Sequence, residues 1–308
     1  MIVDRHISFI RTIRVMRPTL IALAVLSVTT AVFMKELHFG EFGTGVDLAI
    51  PLVLGTAISV FLGFRTNSAY ERWWEARKIW GAIVNDTRSI VRLFRDFDAT
   101  TAGKDPDSSG SQLRAFAYRQ AAWCQILAQQ LRGHDPLANT DHLLSEEERT
   151  AFAARQNPAL AALLAQGGTV RAALEDGRFD VWQAICIEEA INRLTDYQGA
   201  CERIRNTVFP AHYSYFTKVF LWVFLLLLGL SLPVHADVGY FAVPAVFVIG
   251  WIFFLIEGIG DYMQDPFADN RNSTPMFTLA RMLEIDLKEI LGEEEVPLRL
   301  QPEEGVLM

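Results

Sequence analysis

The feature that most constrains this sequence is an uncharged stretch, Leu48 to Phe64, that runs without a break into a charged segment. Its 17 residues are at the short end of what an α-helix needs to cross a hydrocarbon core of about 30 Å. No Pro or Gly lies between Phe64 and Gly81, so nothing in the sequence ends the helix at the membrane boundary. The sequence therefore predicts one long helix that crosses a membrane and continues into water.

Three further uncharged stretches have the length of membrane spans. They are Pro18–Met34 with 17 residues, Val219–Ala236 with 18 and Val238–Ile256 with 19. Hydrophobic residues make up 51% of the chain and charged residues 21%, so the apolar residues are concentrated in blocks. The middle region shows helical spacing of apolar residues and no alternation of period two. We therefore expect an all-α membrane protein with four spans and a helical soluble region.

Positive charges are distributed unevenly among the segments that flank the spans. They gather before the first span and after the second, whereas the two short connectors hold only Lys35. Because Lys and Arg are enriched in cytoplasmic loops, we expect both termini and the middle region to be cytoplasmic. The expected organisation is an N-terminal surface helix with spans one and two in residues 1–64, a helical cytosolic region in 65–218, spans three and four in 219–256, and a cytosolic C-terminal helix and tail in 257–308.

Local signals predict where several helices begin. Ser145 and Glu148 have the spacing of a capping box, and Pro158 suits the first position of a helix. A final long helix of the middle region is expected from about Arg178 to Arg205. Two further expectations are a loop over residues 98–111 and a helix cap at Ser273 or Thr274.

Three motifs occur in order along the chain. They are GFRTNSAYERWWEARKIWG from Gly63, GACERIRNTVFP from Gly199 and GIGDYMQDPF from Gly258. Together they resemble the bestrophin family, specifically its bacterial branch, over most of the chain. The resemblance implies a homopentamer in the bacterial inner membrane, with its own copies, inorganic ions and the lipid bilayer as partners. It also implies a passive pore that is lined by the second span and conducts chloride.

Thr56, Val60 and Phe64 repeat every four residues and therefore project from one face of the second span. By the resemblance these three residues line the narrow neck of the pore, and Phe209 forms its cytosolic aperture. The alternative is that Thr56, Val60 and Phe64 pack against a neighbouring helix, and that Phe209 covers a helix end.

The sequence also predicts roles for small and aromatic residues near the neck. Gly55 and Gly63 are expected where neighbouring helices approach closely, and Leu62 is expected to be an apolar surface residue. The remaining motif residues of this segment are Arg72, Trp73 and Trp74. A Trp pair near a membrane is by default an interfacial anchor, whereas the resemblance implies structural packing beside the pore.

Asp265, Pro266 and Phe267 match a signature that, in animal bestrophins, leads into an acidic run that binds calcium. Here the run holds Asp269 alone, with Arg271 two residues later. Calcium usually takes six to eight oxygen ligands, several of them carboxylates. We therefore expect no metal site, and no cofactor is implied.

The charges of the outer connectors bear on which ions pass. Lys35 contributes +1, and four acids contribute −4, which gives a sum of −3 per chain; these acids are Glu36, Glu41, Asp47 and Asp237. Asp47 is thus expected to attract cations at the outer mouth, whereas Arg65 is expected to be electropositive just below the neck. Anion conduction is the leading prediction. A cation-conducting or weakly selective channel, and a membrane-anchored interaction or sensor protein, remain open.

Other classes of function lack support in the sequence. The net charge of −8, without a basic stripe, argues against nucleic acid as a partner. No HExxH, phosphate loop or GxSxG motif indicates an enzyme. Three cysteines without a CxxC pair are expected to be free thiols in the cytosolic region.

Overall fold

The structure is a computed structural model that describes residues 9–36, 46–98, 106–207, 211–235 and 239–302. Within these ranges the chain is all-α, as the sequence predicts. The helices are α1 Phe9–Glu36, α2 Ala49–Phe97, α3 Pro106–Arg132, α4 Glu146–Ala153, α5 Pro158–Glu175, α6 Val181–Asn206, α7 Ala211–His235, α8 Ala242–Met263 and α9 Met276–Ile290, with a 3-10 turn at Gly239–Phe241.

Two compact units make up the chain. The span unit, within Asp4–Arg72 and Val208–Gln264, contains α1, the first part of α2, α7 and α8. The helical unit, within Trp73–Thr207 and Asp265–Met308, contains the rest of α2, α3 to α6 and α9. The domain bounds expected from the sequence follow the ends of the uncharged stretches instead.

Within the described ranges, four helices are long and apolar enough to cross a membrane. They are α2 and the segments Ile13–Met34, His212–Leu232 and Ala242–Met263. At 49 residues and 1.5 Å per residue, α2 is about 70 Å long, more than twice the thickness of a hydrocarbon core. The prediction of an all-α chain with four candidate spans is confirmed, and α2 is longer than one crossing requires.

Close packing of α1 against α7 and α8 forms the centre of the span unit. Its buried apolar residues include Leu23, Leu221 and Leu225. Gly229 of α7 faces Thr30 of α1 so closely that an added Cβ would lie 2.5 Å from the Thr30 Oγ1. Thr30 in turn donates a hydrogen bond to the Leu26 carbonyl, 2.9 Å away. Small residues thus allow a close helix contact where lipid provides no hydrophobic drive for association.

Large buried aromatic residues form the core of the helical unit. Trp80, Phe94, Phe116 and Trp123 are all inaccessible to solvent, and the rings of Phe94 and Phe116 stack with centroids 4.2 Å apart. The Trp123 Nε1 donates to the buried Gln198 Oε1 at 3.1 Å. These contacts hold the second part of α2 against α3, and α3 against α6.

Helix starts in this unit agree with the local sequence signals. Ser145 and Glu148 form the predicted capping box at α4. Pro158 opens α5, preceded by Asn157 as the N-cap, and α6 is close to the predicted final helix. Such caps depend on residues a few positions apart, which is why the sequence alone identifies them.

Several element boundaries differ from the sequence predictions. Residues 106–111 begin α3 instead of extending the loop, because Pro106 is suited to the first turn of a helix. The α9 N-cap is Pro275, not Ser273 or Thr274. Those two residues already serve the preceding turn, since the Thr274 N–H donates to the Pro266 carbonyl at 2.8 Å and the Ser273 hydroxyl to the Asn270 carbonyl at 2.7 Å.

The ends of the span helices also extend beyond the uncharged stretches. From Phe9 onward, the N-terminal segment expected on the membrane surface is continuous with the first span, because α1 runs unbroken through Pro18. α8 continues past Ile256 through Glu257 and Asp261. These charges are tolerated within a helix because both are paired, as the site geometry below establishes.

Candidate functional site

The predicted neck residues lie together on the open side of α2. Val60 is 55% exposed and Phe64 68% exposed, and Thr56 is also exposed. The Thr56 hydroxyl donates to the Leu52 carbonyl at 2.9 Å, so its polarity is satisfied within the helix. The opposite side of α2 is buried through Ile58, Leu62, Arg65 and Ala69. The three residues therefore form one surface that the span unit leaves uncovered.

Leu62 is not the surface residue that the sequence predicts. It is 1% exposed and belongs to the apolar core of the span unit. Two positions along a helix correspond to about 200° of rotation, which places Leu62 on the far side of α2 from Phe64. A substitution at Leu62 would therefore disturb packing and cannot serve as a neutral control.

Two of the contacts of α2 within the span unit are made with α7. Phe224 of α7 packs on Gly55, where an added Cβ would lie 2.8 Å from its ring, so the predicted close approach occurs here. The rings of Phe61 and Tyr213 stack with centroids 4.3 Å apart. Gly63 is different, since apart from its chain neighbours and the backbone of its own helix no described atom lies within 4 Å of where its Cβ would be. It lies on the open side with the neck residues.

Arg65 has its guanidinium buried, with 0% side-chain exposure. Its Nη1 donates to the Glu257 Oε1 at 3.1 Å, and its Nη2 to the Ser214 Oγ at 2.8 Å and to the Asp261 carboxylate. The expectation of a positive charge below the neck is therefore wrong for Arg65. The side chain points into the span unit, where two carboxylates neutralise it.

A second cation completes this arrangement. The Lys218 Nζ lies 3.0 Å from the Asp261 Oδ2 and 3.4 Å from the Glu257 Oε1. Gln264 donates to the Asp261 Oδ1 at 2.9 Å. Arg65, Lys218, Glu257 and Asp261, called the ion cluster below, hold two positive and two negative charges. Burial of ions in a membrane protein is tolerated in such a paired form.

Sequence reasoning did not identify this cluster, although a signal for it exists. Glu257 and Asp261 are four residues apart and therefore share a face at the end of an apolar helix. Acidic residues in such a position need cationic partners, because an unpaired charge is costly there. Arg65 and Lys218, each adjoining an uncharged stretch, are the candidates that the sequence offers.

Asp47, predicted at the outer mouth, has a local structural role in addition to its charge. Its Oδ1 accepts a hydrogen bond from the backbone N–H of Ala49 at 2.8 Å, at the start of α2. The carboxylate is exposed and also lies where a helix N-terminus favours negative charge. The outer-connector acids Glu41 and Asp237 lie outside the described residues.

The structure brings the Trp73 motif and the Asp265 motif together within the helical unit. The Trp73 Nε1 donates to the Asn272 carbonyl at 2.7 Å, in the segment between α8 and α9. Trp74 is 45% exposed and Arg72 is half-buried. Trp73 therefore makes a specific packing contact, whereas Trp74 presents much of its indole to the surroundings.

The segment that begins at Asp265 is a compact turn. The Asp265 Oδ1 accepts from the Phe267 N–H at 3.3 Å, Pro266 is buried, and Phe267 lies fully inside the core. Asp269 has two partners, since the Arg132 Nη1 lies 2.8 Å from its Oδ1 and the His134 Nε2 lies 2.8 Å from its Oδ2. Among the described residues, no group of three or more metal-binding side chains is close enough to hold an ion.

Phe209, the predicted aperture residue, lies outside the described residues. The three cysteines are free, with Cys124 and Cys201 buried and Cys186 exposed. Burial raises the pKa of the Cys124 thiol to about 12 and also raises the pKa of the Cys201 thiol, so both stay protonated near neutral pH.

Known proteins similar to this chain come from several bacteria. A voltage-dependent anion channel-forming protein, YneE of Escherichia coli (strain K12), is 29% identical over 265 residues, which cover 86% of this chain and 84% of that protein. A voltage-dependent anion channel-forming protein of Mesorhizobium japonicum is 28% identical over 310 residues, which cover 99% of this chain and 96% of that protein.

Structural similarity leads to the same group of proteins. The crystal structure of a bacterial bestrophin homolog from Klebsiella pneumoniae matches with a TM-score of 0.81 and 25% identity, over 90% of this chain and 98% of that one. Residues 6–289 match the family model described as Bacterial/Fungal Bestrophin protein. The chain therefore belongs to the bestrophin family, within its bacterial and fungal group.

Proposed function

We propose that this protein is a passive anion channel whose pore is lined by the open face of α2. The observation that carries the proposal is the uncovered surface formed by Thr56, Val60 and Phe64, opposite a side of α2 that is fully packed. An apolar constriction of this kind controls ion passage through its width and through dewetting. Phe64, the largest of the three, is the narrowest point of the proposed neck.

The chemical character of α2 supports its choice over the other spans. The exposed side of α8 carries aliphatic residues such as Val248, Ile252 and Ile256, which suit contact with lipid. The open face of α2 also carries Thr56, Ser59 and Gly63, which are smaller or more polar. A pore-lining surface needs such residues more than a lipid-facing surface does.

Selection for anions is proposed from the named activity of the relatives, which are anion channel-forming proteins. The neck residues carry no charge, and Arg65 is neutralised by Glu257 and Asp261. Discrimination at the neck then depends on dehydration and on the partial positive charge at the edges of aromatic rings such as Phe64.

Five copies of the chain are proposed to surround the pore, with Phe209 at the aperture and both termini and the helical unit in the cytoplasm. Arg72, Trp73, Trp74 and the Asp265–Phe267 turn then have structural roles at the cytosolic shoulder. The mass of the purified protein in detergent tests the assembly. A mass near that of five chains supports it, and a monomer contradicts it.

Two other functions are favoured by particular observations. The exposed Asp47 carboxylate at the start of α2 favours a cation-conducting or weakly selective channel. Trp182, 77% exposed beside the exposed Val181 on α6, favours an interaction or sensor protein that is only anchored by its spans. Chloride flux from liposomes containing purified protein tests the proposal against a cation channel and against an anchored interaction protein, because neither of these carries chloride.

A further inference from the structure

The ion cluster joins α2 to two other span helices at one point. Arg65 is its only member on α2, whereas Ser214 and Lys218 come from α7, and Glu257 and Asp261 from α8. Gln264 closes the arrangement by donating to the Asp261 Oδ1 at 2.9 Å and to the Ser214 Oγ at 3.4 Å. A single guanidinium thus has fixed acceptors on two different helices.

Polar contacts of this kind specify the rotation of a helix more strictly than apolar packing does. Lipid tails are as apolar as the helix faces, so apolar contacts alone leave the rotation of a span weakly determined. The guanidinium is planar, and its donors diverge in fixed directions. Displacement of α2 would separate buried charges from their partners, which is strongly unfavourable.

The cluster therefore bears directly on the residue beside it. Successive residues of an α-helix differ by about 100° in direction. With Arg65 held toward α7 and α8, Phe64 must project from the open side of α2, where it is 68% exposed. The stacking of Phe61 on Tyr213 one turn earlier holds the same face of α2 toward α7.

We propose that Arg65 is a positioning residue for ion selection: its bonds to Glu257, Asp261 and Ser214 set the direction and height of Phe64 in the neck. The inference rests on the proposed function, since it assigns to Arg65 the control of a neck at Phe64. Arg65 itself does not contact the permeating ion.

Arg65→Lys is the most direct variant, because it keeps the positive charge and removes the planar fork. A lysine cannot hold all three acceptors in the present geometry, so α2 gains freedom and the Phe64 ring withdraws. The measurement is the permeability ratio of gluconate to chloride in planar bilayers, which reports the width of the neck. We expect the ratio to rise severalfold in Arg65→Lys and in Phe64→Ala.

The double variant distinguishes positioning from general loosening. If Arg65 acts through Phe64, adding Arg65→Lys to Phe64→Ala leaves the ratio close to that of Phe64→Ala alone. The inference is overturned if Arg65→Lys raises the permeability ratio equally in wild-type and Phe64→Ala channels. It is also overturned if Arg65→Lys alone leaves the ratio unchanged. Arg171→Lys, at an 80% exposed side chain on α5, is the matched control and should change nothing.

Two provisions keep the test decisive. Ser214→Ala removes one acceptor of the Arg65 guanidinium and keeps all four charges of the ion cluster. It therefore replaces Arg65→Lys if that variant fails to assemble. The permeability ratio should again rise, and an unchanged ratio again overturns the inference. An unchanged ratio in Phe64→Ala itself contradicts the proposed neck. If the permeability ratio rises in Phe64→Ala and stays unchanged in Arg65→Lys, the result contradicts only the role of Arg65.

Discussion

Phe64 and Arg65 are adjacent in the chain and face different environments across α2. Phe64 is 68% exposed on the open side, whereas the Arg65 guanidinium is buried, with its Nη1 3.1 Å from the Glu257 Oε1. The aromatic ring and the positive charge are therefore separated, and the charge is neutralised within the span unit. Under this geometry, the proposed neck would act on ions through size and hydration, without a fixed charge from Arg65.

Truncation of Phe64 tests the neck. Phe64→Ala removes the largest exposed side chain from the open face of α2, so the path widens and single-channel conductance should rise severalfold. Phe220→Ala is the matched control, because Phe220 is an exposed phenylalanine of the same unit on α7. Equal effects of the two substitutions in bilayer recordings would show that the ring of Phe64 has no special role.

Neutralisation of Asp47 tests the outer mouth. Asn retains the side-chain oxygen that accepts from the Ala49 N–H, so Asp47→Asn removes the charge and preserves the start of α2. Chloride conductance should rise at low salt, and the difference should disappear at high salt, where charges are screened within about 3 Å. An increase that persists at high salt would point to a structural cause. Asp176→Asn in the helical unit is the control.

Local features of this chain could be predicted from sequence, and distant pairings could not. The length of α2, the capping box at Ser145 and the helix start at Pro158 depend on residues that are close in the chain. Arg65 and Glu257 are 192 positions apart, and no spacing rule connects them. The side of α2 that is packed depends on those partners, which is why Leu62 was placed on the surface.

Chelation of calcium should leave the channel unchanged. The Asp269 carboxylate, the single acid in its segment, already binds the Arg132 guanidinium and the His134 ring, each at 2.8 Å. A protein cation thus occupies the position at which a divalent ion would have to bind. Chloride flux in millimolar chelator should equal that in calcium. Loss of flux that micromolar calcium restores would refute this account.

The same pair makes a prediction about stability. Asp269→Asn leaves the Arg132 side chain, 1% exposed, without its carboxylate. We expect the free energy of unfolding to fall by about 1–3 kcal/mol, because a buried charge loses its partner. Water still reaches the open side of residue 269, which limits the loss. Thermal melting in detergent measures the change. Asp96→Asn, at an exposed pair on α2, should change the melting temperature little.

Thiol labelling tests the orientation of the helical unit. Only the exposed Cys186 should react, because Cys124 and Cys201 are buried and burial raises the pKa of both thiols. The thiolate is the nucleophile that adds to a maleimide, so these two should stay unlabelled on either side of the membrane between pH 7 and 8. An impermeant maleimide should label Cys186 in inside-out vesicles alone. Labelling in sealed right-side-out vesicles would place the helical unit outside.

Reversal potential under a KCl gradient tests the central claim most directly. Purified protein in a planar bilayer, with more KCl on one side, carries a current whose zero point depends on which ion passes. If the pore selects anions at the uncharged neck, the reversal potential lies near the chloride equilibrium potential. A reversal potential near the potassium equilibrium potential would contradict the account and favour the role of Asp47 in gathering cations.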